Sequence, residues 1–231
     1  LYGANPLANV LLSALGSETT VSLHTTTTYV FYGLTLLLLL TFGPANAGLA
    51  AVCRNICRGD MVLFSQDFFG TIKRNYLSST ILGIIDLGIG VLFCYNIVFY
   101  YLKGANLLIY ITIALFIVYF CMRFYMYVIL VTFKLSLLKV LKNSFIFALI
   151  GFKRNAMAVL GIVFAVAVNW FIAILYFPVG LLLPFLITVA TVAFTVIYAV
   201  YPNIKKYMID PYYSSSSSKS SDVEPLFKDR G

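Results

Sequence analysis

Two ionisable residues stand inside stretches that are otherwise almost free of charge: Asp86, within residues 77–102, and Arg123, within 105–131. Charged side chains are costly in a bilayer, and they default to functional candidates with a named partner. At 1.5 Å per residue, Asp86 lies about 13 Å in from residue 77 and Arg123 about 12 Å in from residue 131. Consecutive antiparallel helices are neighbours, so an Asp86–Arg123 ion pair is geometrically cheap. Such a pair could act as a staple that sets helix register, or as a polar step on a substrate or proton path. The staple is the preferred reading, because no other acid falls within an apolar stretch. The remaining acids are Glu18, Asp60, Asp67, Asp210, Asp222, Glu224 and Asp229.

The other polar candidates are weaker. Asn96, Asn106, Asn169 and Trp170 fall in or beside apolar stretches, where Asn more often bonds across helices than binds a ligand. Gly43-Pro44 breaks the first stretch and places Asn46 near an expected helix start, whose free amides could hold an anion. Cys53 and Cys57 share a helical face, and Cys94 and Cys121 lie in apolar stretches. A metal would need two more ligands, and the chain's one histidine, His24, is expected on the opposite side, so reduced thiols and no metal are expected. There is no Gly-rich phosphate loop, no His/Glu metal motif and no carboxylate pair within one stretch. No base is evident near the many Ser and Thr residues. Neither catalysis nor a cofactor is expected.

The elements that must position these residues are membrane helices. The chain has 231 residues, 61% apolar and 10% charged, against about 25% charged in ordinary soluble domains. Five spans are predicted, at 21–42, 77–102, 105–131, 155–177 and 179–201, each near the 20 residues that cross about 30 Å of hydrocarbon. Basic residues bunch between them. Arg54, Arg58, Lys73 and Arg74 follow the first span, and Lys134, Lys139, Lys142, Lys153 and Arg154 follow the third. Lys205, Lys206, Lys219, Lys228 and Arg230 follow the last, and only Lys103 falls in the second gap. The positive-inside rule then sets the N-terminus outside and the C-terminus in the cytoplasm. The net charge of +8 therefore points to anionic lipid and orientation rather than to nucleic acid.

Local patterns complete an all-α, polytopic expectation: five transmembrane helices plus interfacial amphipathic helices. Residues 1–20 read as an extracytoplasmic segment with a short helix near 6–15, and 21–207 as the transmembrane domain. The Ser-rich tail, 208–231, reads as disordered. With Arg54 the first basic residue, no cleavable secretory signal is expected. The first span is expected to end at Gly43-Pro44. A helix of small residues, 45–51, then approaches a neighbour closely and runs to Arg58, stopping at Gly59. Phe64, Phe68, Ile72 and Tyr76 repeat every four residues, an amphipathic helix leading into the second span. Residues 132–151 are expected to form an interfacial or partly buried connector. Pro184 is expected to kink the last span.

Three stretches carry a resemblance. Thr41–Ala50 resembles the proline- and glycine-bearing junction of the YesL-like bacterial integral membrane proteins, a family classed as a domain of unknown function. Phe68–Tyr76 and Leu135–Phe145 are similar in order and spacing, as is the closing Lys205-Lys206-Tyr207. The chain departs from the pattern in its Thr-rich residues 19–28, at Asn46 and in the Ser tract. Members tend to be encoded beside carbohydrate ABC importers, solute-binding proteins and sensor kinases. The resemblance thus implies a non-enzymatic accessory or regulatory subunit in the plasma membrane, with importer permease subunits as partners. It brings no catalytic residues. A small independent transporter or channel, and a membrane component of a sugar-sensing pathway, stay open as alternatives.

Overall fold

The computed structural model describes residues 2–4, 22–183 and 187–211, with side chains described from Tyr29 onward. The fold is all-α. A minor ladder pairs Tyr2–Ala4 (β1) with Ser22–His24 (β2) in antiparallel fashion, Gly3 opposite Leu23. The helices are α1 (Thr25–Arg58), α2 (Phe64–Leu102), α3 (Asn106–Thr132), α4 (Leu137–Ile150), α5 (Phe152–Leu175), α6 (Phe177–Leu183) and α7 (Val189–Ile204). A π-turn, Lys205–Ile209, extends α7. The expected helix near 6–15, the kink at Pro184 and the Ser tract all lie outside the described residues.

Among the described residues, four helices are long and apolar enough to cross a membrane: Tyr29–Arg58, Phe64–Leu102, Asn106–Thr132 and Phe152–Leu175. The fifth expected span, 179–201, is described as α6 and α7 on either side of residues 184–186, which lie outside the described residues. Gly180 is buried with its α-carbon against Ala173, which folds α6 back onto the end of α5. The return along α5 is continued by α7, with Thr188 near Asn169 and Thr195 against Gly161. Apolar side chains cover the outside of the molecule: Leu160, Phe164 and Ile174 on α5 are each more than two-thirds exposed, a surface for lipid rather than water.

Helix α3 is the hub. Its run Phe124–Val131 is buried on every side, as expected of a helix that is apolar all round. Clustered with it are Ala47, Ala50 and Ala51 of α1, Leu82 of α2, Val140 and Phe147 of α4, and Val196, Ile197, Val200 and Ile204 of α7. The small-residue stretch after Pro44 does approach its neighbour closely: Phe68 and Ile72 lie where a side chain on Gly48 would stand.

One expectation needs correction. Helix α1 does not stop at Gly43-Pro44 but runs through Pro44 to Arg58. An interior proline costs about 3 kcal/mol. Breaking a helix within hydrocarbon would free several backbone groups, each unsatisfied at several kcal/mol. The continuous helix is therefore the cheaper solution. Asn46 consequently marks no helix start; its Nδ2 donates to the Phe42 carbonyl one turn back (2.8 Å). The end at Gly59 is as expected. Gly59 (φ +76) donates to Ile56 (3.0 Å) and Asp60 to Asn55 (3.1 Å), the Schellman arrangement that needs a left-handed residue.

Helix α2 joins the amphipathic segment to its span through a kink at Asn75 (φ −116, ψ 17). The hydroxyls of Ser79 and Thr80 donate to the carbonyls of Asn75 and Tyr76, each at 2.8 Å, so the kink leaves no carbonyl stranded there. Just above, α1 and α2 touch backbone to backbone: a Cβ on Gly83 would come within 2.5 Å of Gly43 Cα. Gly83→Ala should therefore lower stability in detergent by about 1–3 kcal/mol, the usual cost of overpacking. Gly88 has nothing within 4 Å of its Cβ position. Gly88→Ala should be neutral or stabilise by about 0.5–1 kcal/mol. Thermal unfolding of the two variants beside the wild type checks both.

Candidate functional site

Asp86 is 2% exposed, on the face of α2 turned to α3. Three donors of α3 meet it: Tyr119, Arg123 and Tyr127, which lie four residues apart and so form one row along the helix. Arg123 Nε–H sits between the two carboxylate oxygens, 2.9 Å from Oδ1 and 3.0 Å from Oδ2. Tyr119 donates its hydroxyl to Oδ1, and its oxygen also lies 3.0 Å from the Asp86 carbonyl. Tyr127 donates to Oδ2 at 3.2 Å. A buried charge is tolerated only when paired and fully bonded, and this carboxylate is both.

The two partners are unequal. The Arg123 side chain is 36% exposed, and among the described residues only its Nε is bonded. Its Cζ lies 5.9 Å from the centre of the Phe42 ring on α1, at cation–π range. Arg123 and Phe120 both border two cavities. One, of about 410 Å³, lies between α1, α3, α5 and α7 and is lined also by Asn46, Tyr127 and Thr188. The other, of about 630 Å³, lies between α1, α2 and α3, with Phe42, Asp86 and Tyr119 on its wall. The pair thus joins three helices and leaves the outer guanidinium edge facing accessible space. Chemically, that edge can donate hydrogen bonds, while the carboxylate has no free role as a base.

The other sequence candidates are scattered. Asn46 borders the smaller cavity, beside Arg123 but without a bond to it. Gly43 is buried in the α1–α2 contact, against Ser79 and Gly83, and Pro44 beside it is also buried. Asn96 is half-buried on α2, away from the cluster. Asn169 Nδ2 reaches from α5 to the Gly180 carbonyl (3.5 Å) and Thr188 Oγ1 (3.4 Å), both long contacts. Asn106 and Trp170 are exposed, and the four cysteines are free thiols.

Sequence reasoning missed a second polar cluster. The Tyr125 hydroxyl donates to Asn155 Oδ1 (2.8 Å) and accepts from Asn203 Nδ2 (3.2 Å). Asn155 Nδ2 in turn donates to the Ala148 carbonyl (2.8 Å). This ties α3, α4, α5 and α7 together at the basic end. It also missed Arg54, whose Nη1 donates to the Val131 carbonyl (2.9 Å) and closes the C-terminus of α3. For Tyr119 and Tyr127 a signal existed, their spacing of four on either side of Arg123. For Asn155 and Asn203, far apart in sequence, there was none.

Fold and site together define a polytopic, all-α membrane protein built around one buried carboxylate. Residues 23–97 match the family described as "Protein of unknown function, DUF624", so the YesL-like resemblance is shown over that segment. Neither a curated protein nor a solved structure matches the chain. Two of the three resembling stretches, Thr41–Ala50 and Phe68–Tyr76, lie inside the matched residues.

Asp86→Ala would strand Arg123 and two tyrosine hydroxyls, and should cost about 3–5 kcal/mol or prevent folding. Tyr127→Phe removes one hydrogen bond to a charged group and should cost about 1.5–3 kcal/mol. Chemical denaturation in mixed micelles ranks the two, and equal stabilities for Asp86→Ala and wild type would show the cluster to be dispensable.

Proposed function

We propose that the chain is a non-catalytic, multi-pass protein of the bacterial plasma membrane, acting as an accessory or regulatory subunit of a carbohydrate ABC import system. The observation that carries the non-transporting part is the closed state of Asp86. Its oxygens are taken by one guanidinium N–H and two hydroxyls, and the other acid of the described long helices, Asp67, lies in the amphipathic first turn of α2 and not deep enough to continue a proton relay. The importer association is supported by the resemblance alone. Lateral binding to permease subunits suits the long apolar faces of α2 and α5.

The orientation is part of the proposal. Arg54 bonds the end of α3, Arg58 and Lys205 border one cavity, and Arg54, Arg74 and Lys134 border another, so the basic residues of three helix ends gather together. Lys103 stands on the α2–α3 turn at the other end. The positive-inside rule makes the basic end cytoplasmic and puts the N-terminus outside.

The free edge of Arg123 beside two cavities favours one second reading, a small independent transporter with this arginine in its pathway. Gentle affinity purification from the native membrane, followed by mass spectrometry, separates the two. Importer subunits at near-equal stoichiometry are expected; the chain arriving alone, where the importer is expressed, would overturn the accessory reading. For the second reading, vesicles reconstituted with Arg123→Lys should differ in solute flux from wild type, and equal flux would remove it.

A further inference from the structure

A pocket at the basic end has no part in the Asp86 cluster. It encloses about 540 Å³ between the end of α1, the kink of α2 and the last turn of α3. Its lining holds three cations, Arg54, Arg74 and Lys134, with the polar side chains of Asn75, Ser78 and Thr132, and no carboxylate. The two nearby acids of the described chain are engaged elsewhere: Asp60 pairs with Arg58 at 3.0 Å, and Asp67 accepts from the Leu63 amide. Arg54 is held rigidly, with Nη1 on the Val131 carbonyl and Nε and Nη2 on Asn55 Oδ1 (3.2 and 2.8 Å). Arg74 and Lys134 are exposed and carry no ion pair among the described residues.

Three like charges facing one pocket repel one another. The carbonyl end of α3 and the more distant Asp60 offset them in part, but Arg54 already occupies one of those carbonyls and Asp60 is paired with Arg58. An anion in the pocket would relieve this repulsion. Position narrows its class. The pocket lies where the amphipathic part of α2 turns into the membrane span, at Asn75, which is the level of the headgroups. Guanidinium and ammonium groups with hydroxyl donors at that level suit a phosphate.

We propose that Arg54, Arg74 and Lys134 seat the phosphate of an anionic phospholipid, held between α1, α2 and α3. Arg54 is the fixed donor, while Arg74 and Lys134 close on the headgroup from α2 and from the turn after α3. The seat would lock the kinked α2 against the ends of α1 and α3, independently of what the Asp86 cluster does.

The test uses the full chain in nanodiscs of phosphatidylglycerol and phosphatidylcholine, with native mass spectrometry of the lipids retained. Wild type should keep phosphatidylglycerol preferentially. The double variant Arg74→Ala/Lys134→Ala should lose that preference by about 25-fold, near fivefold per cation removed. Both side chains are exposed, so the fold should survive. Arg74→Lys/Lys134→Arg, which keeps the charge, should retain the preference. Lys139→Ala/Lys142→Ala removes the same charge from α4, away from the pocket, and should leave the preference intact. An equal loss in both alanine pairs would show only a diffuse basic surface and overturn the site, as would no preference in the wild type. In a parallel arm, inorganic phosphate is added to lipid-depleted protein in detergent. A rise in unfolding temperature for wild type but not for Arg74→Ala/Lys134→Ala, without any lipid preference, would assign the same seat to a soluble phosphate.

Discussion

A carboxylate placed in hydrocarbon must be bonded on every side, and the packing of α1, α2 and α3 follows from meeting that requirement at Asp86. Its donors come from a single helix, at positions 119, 123 and 127, so α3 must present one face to α2 and hold it there. A rotation of α3 by one residue, about 100°, would carry all three donors away at once. The guanidinium that completes the set lies over Phe42, which draws α1 to the same place. Register, rotation and neighbour are thus set by one group whose exposure would be costly.

Close backbone contact supplies the rest of the holding force. Between membrane helices, apolar side chains gain little by leaving lipid for protein, so association depends on fit and on polar bonds. Gly43 and Gly83 let α1 and α2 meet backbone to backbone, and the alanines after Pro44 let α1 lie flat against α3. The helix α1 runs through Pro44 for the same reason: a break there would free backbone groups that lipid cannot satisfy. At the basic end, Arg54 and the Tyr125–Asn155–Asn203 bonds tie together helix ends that carry little small-residue contact of their own.

Burial is uneven around this bundle. The half formed by α1, α2 and α3 contains the ion pair, the glycine contact and the segment 23–97 that matches the family. Helix α5 is largely exposed along its length and is held mainly by α7, with α6 folded back at its end. The smaller cavity beside Arg123 lies where these two halves meet, bordered by α1 and α3 on one side and α5 and α7 on the other. A protein built in this way has a fixed core and a broad apolar flank, which suits a role exercised sideways in the membrane.

The all-α membrane fold, the long apolar helices, the amphipathic lead into α2 and the stop at Gly59 could all be read from the chain, because each depends on composition or on periodicity within one segment. The proximity of Asp86 and Arg123 could be inferred from matching depths, since consecutive antiparallel helices leave little choice of neighbour. The spacing of Tyr119 and Tyr127 around Arg123 hinted at one row of donors, but only the structure shows that they complete the carboxylate's bonds, because donors on one helix face become a site only once an acceptor is brought opposite. Nor could the sequence show α1 continuing through Pro44. In both cases a local preference was weighed against contacts with other helices. The tertiary structure decided them: satisfying buried backbone and charge outweighs the propensity of any single residue.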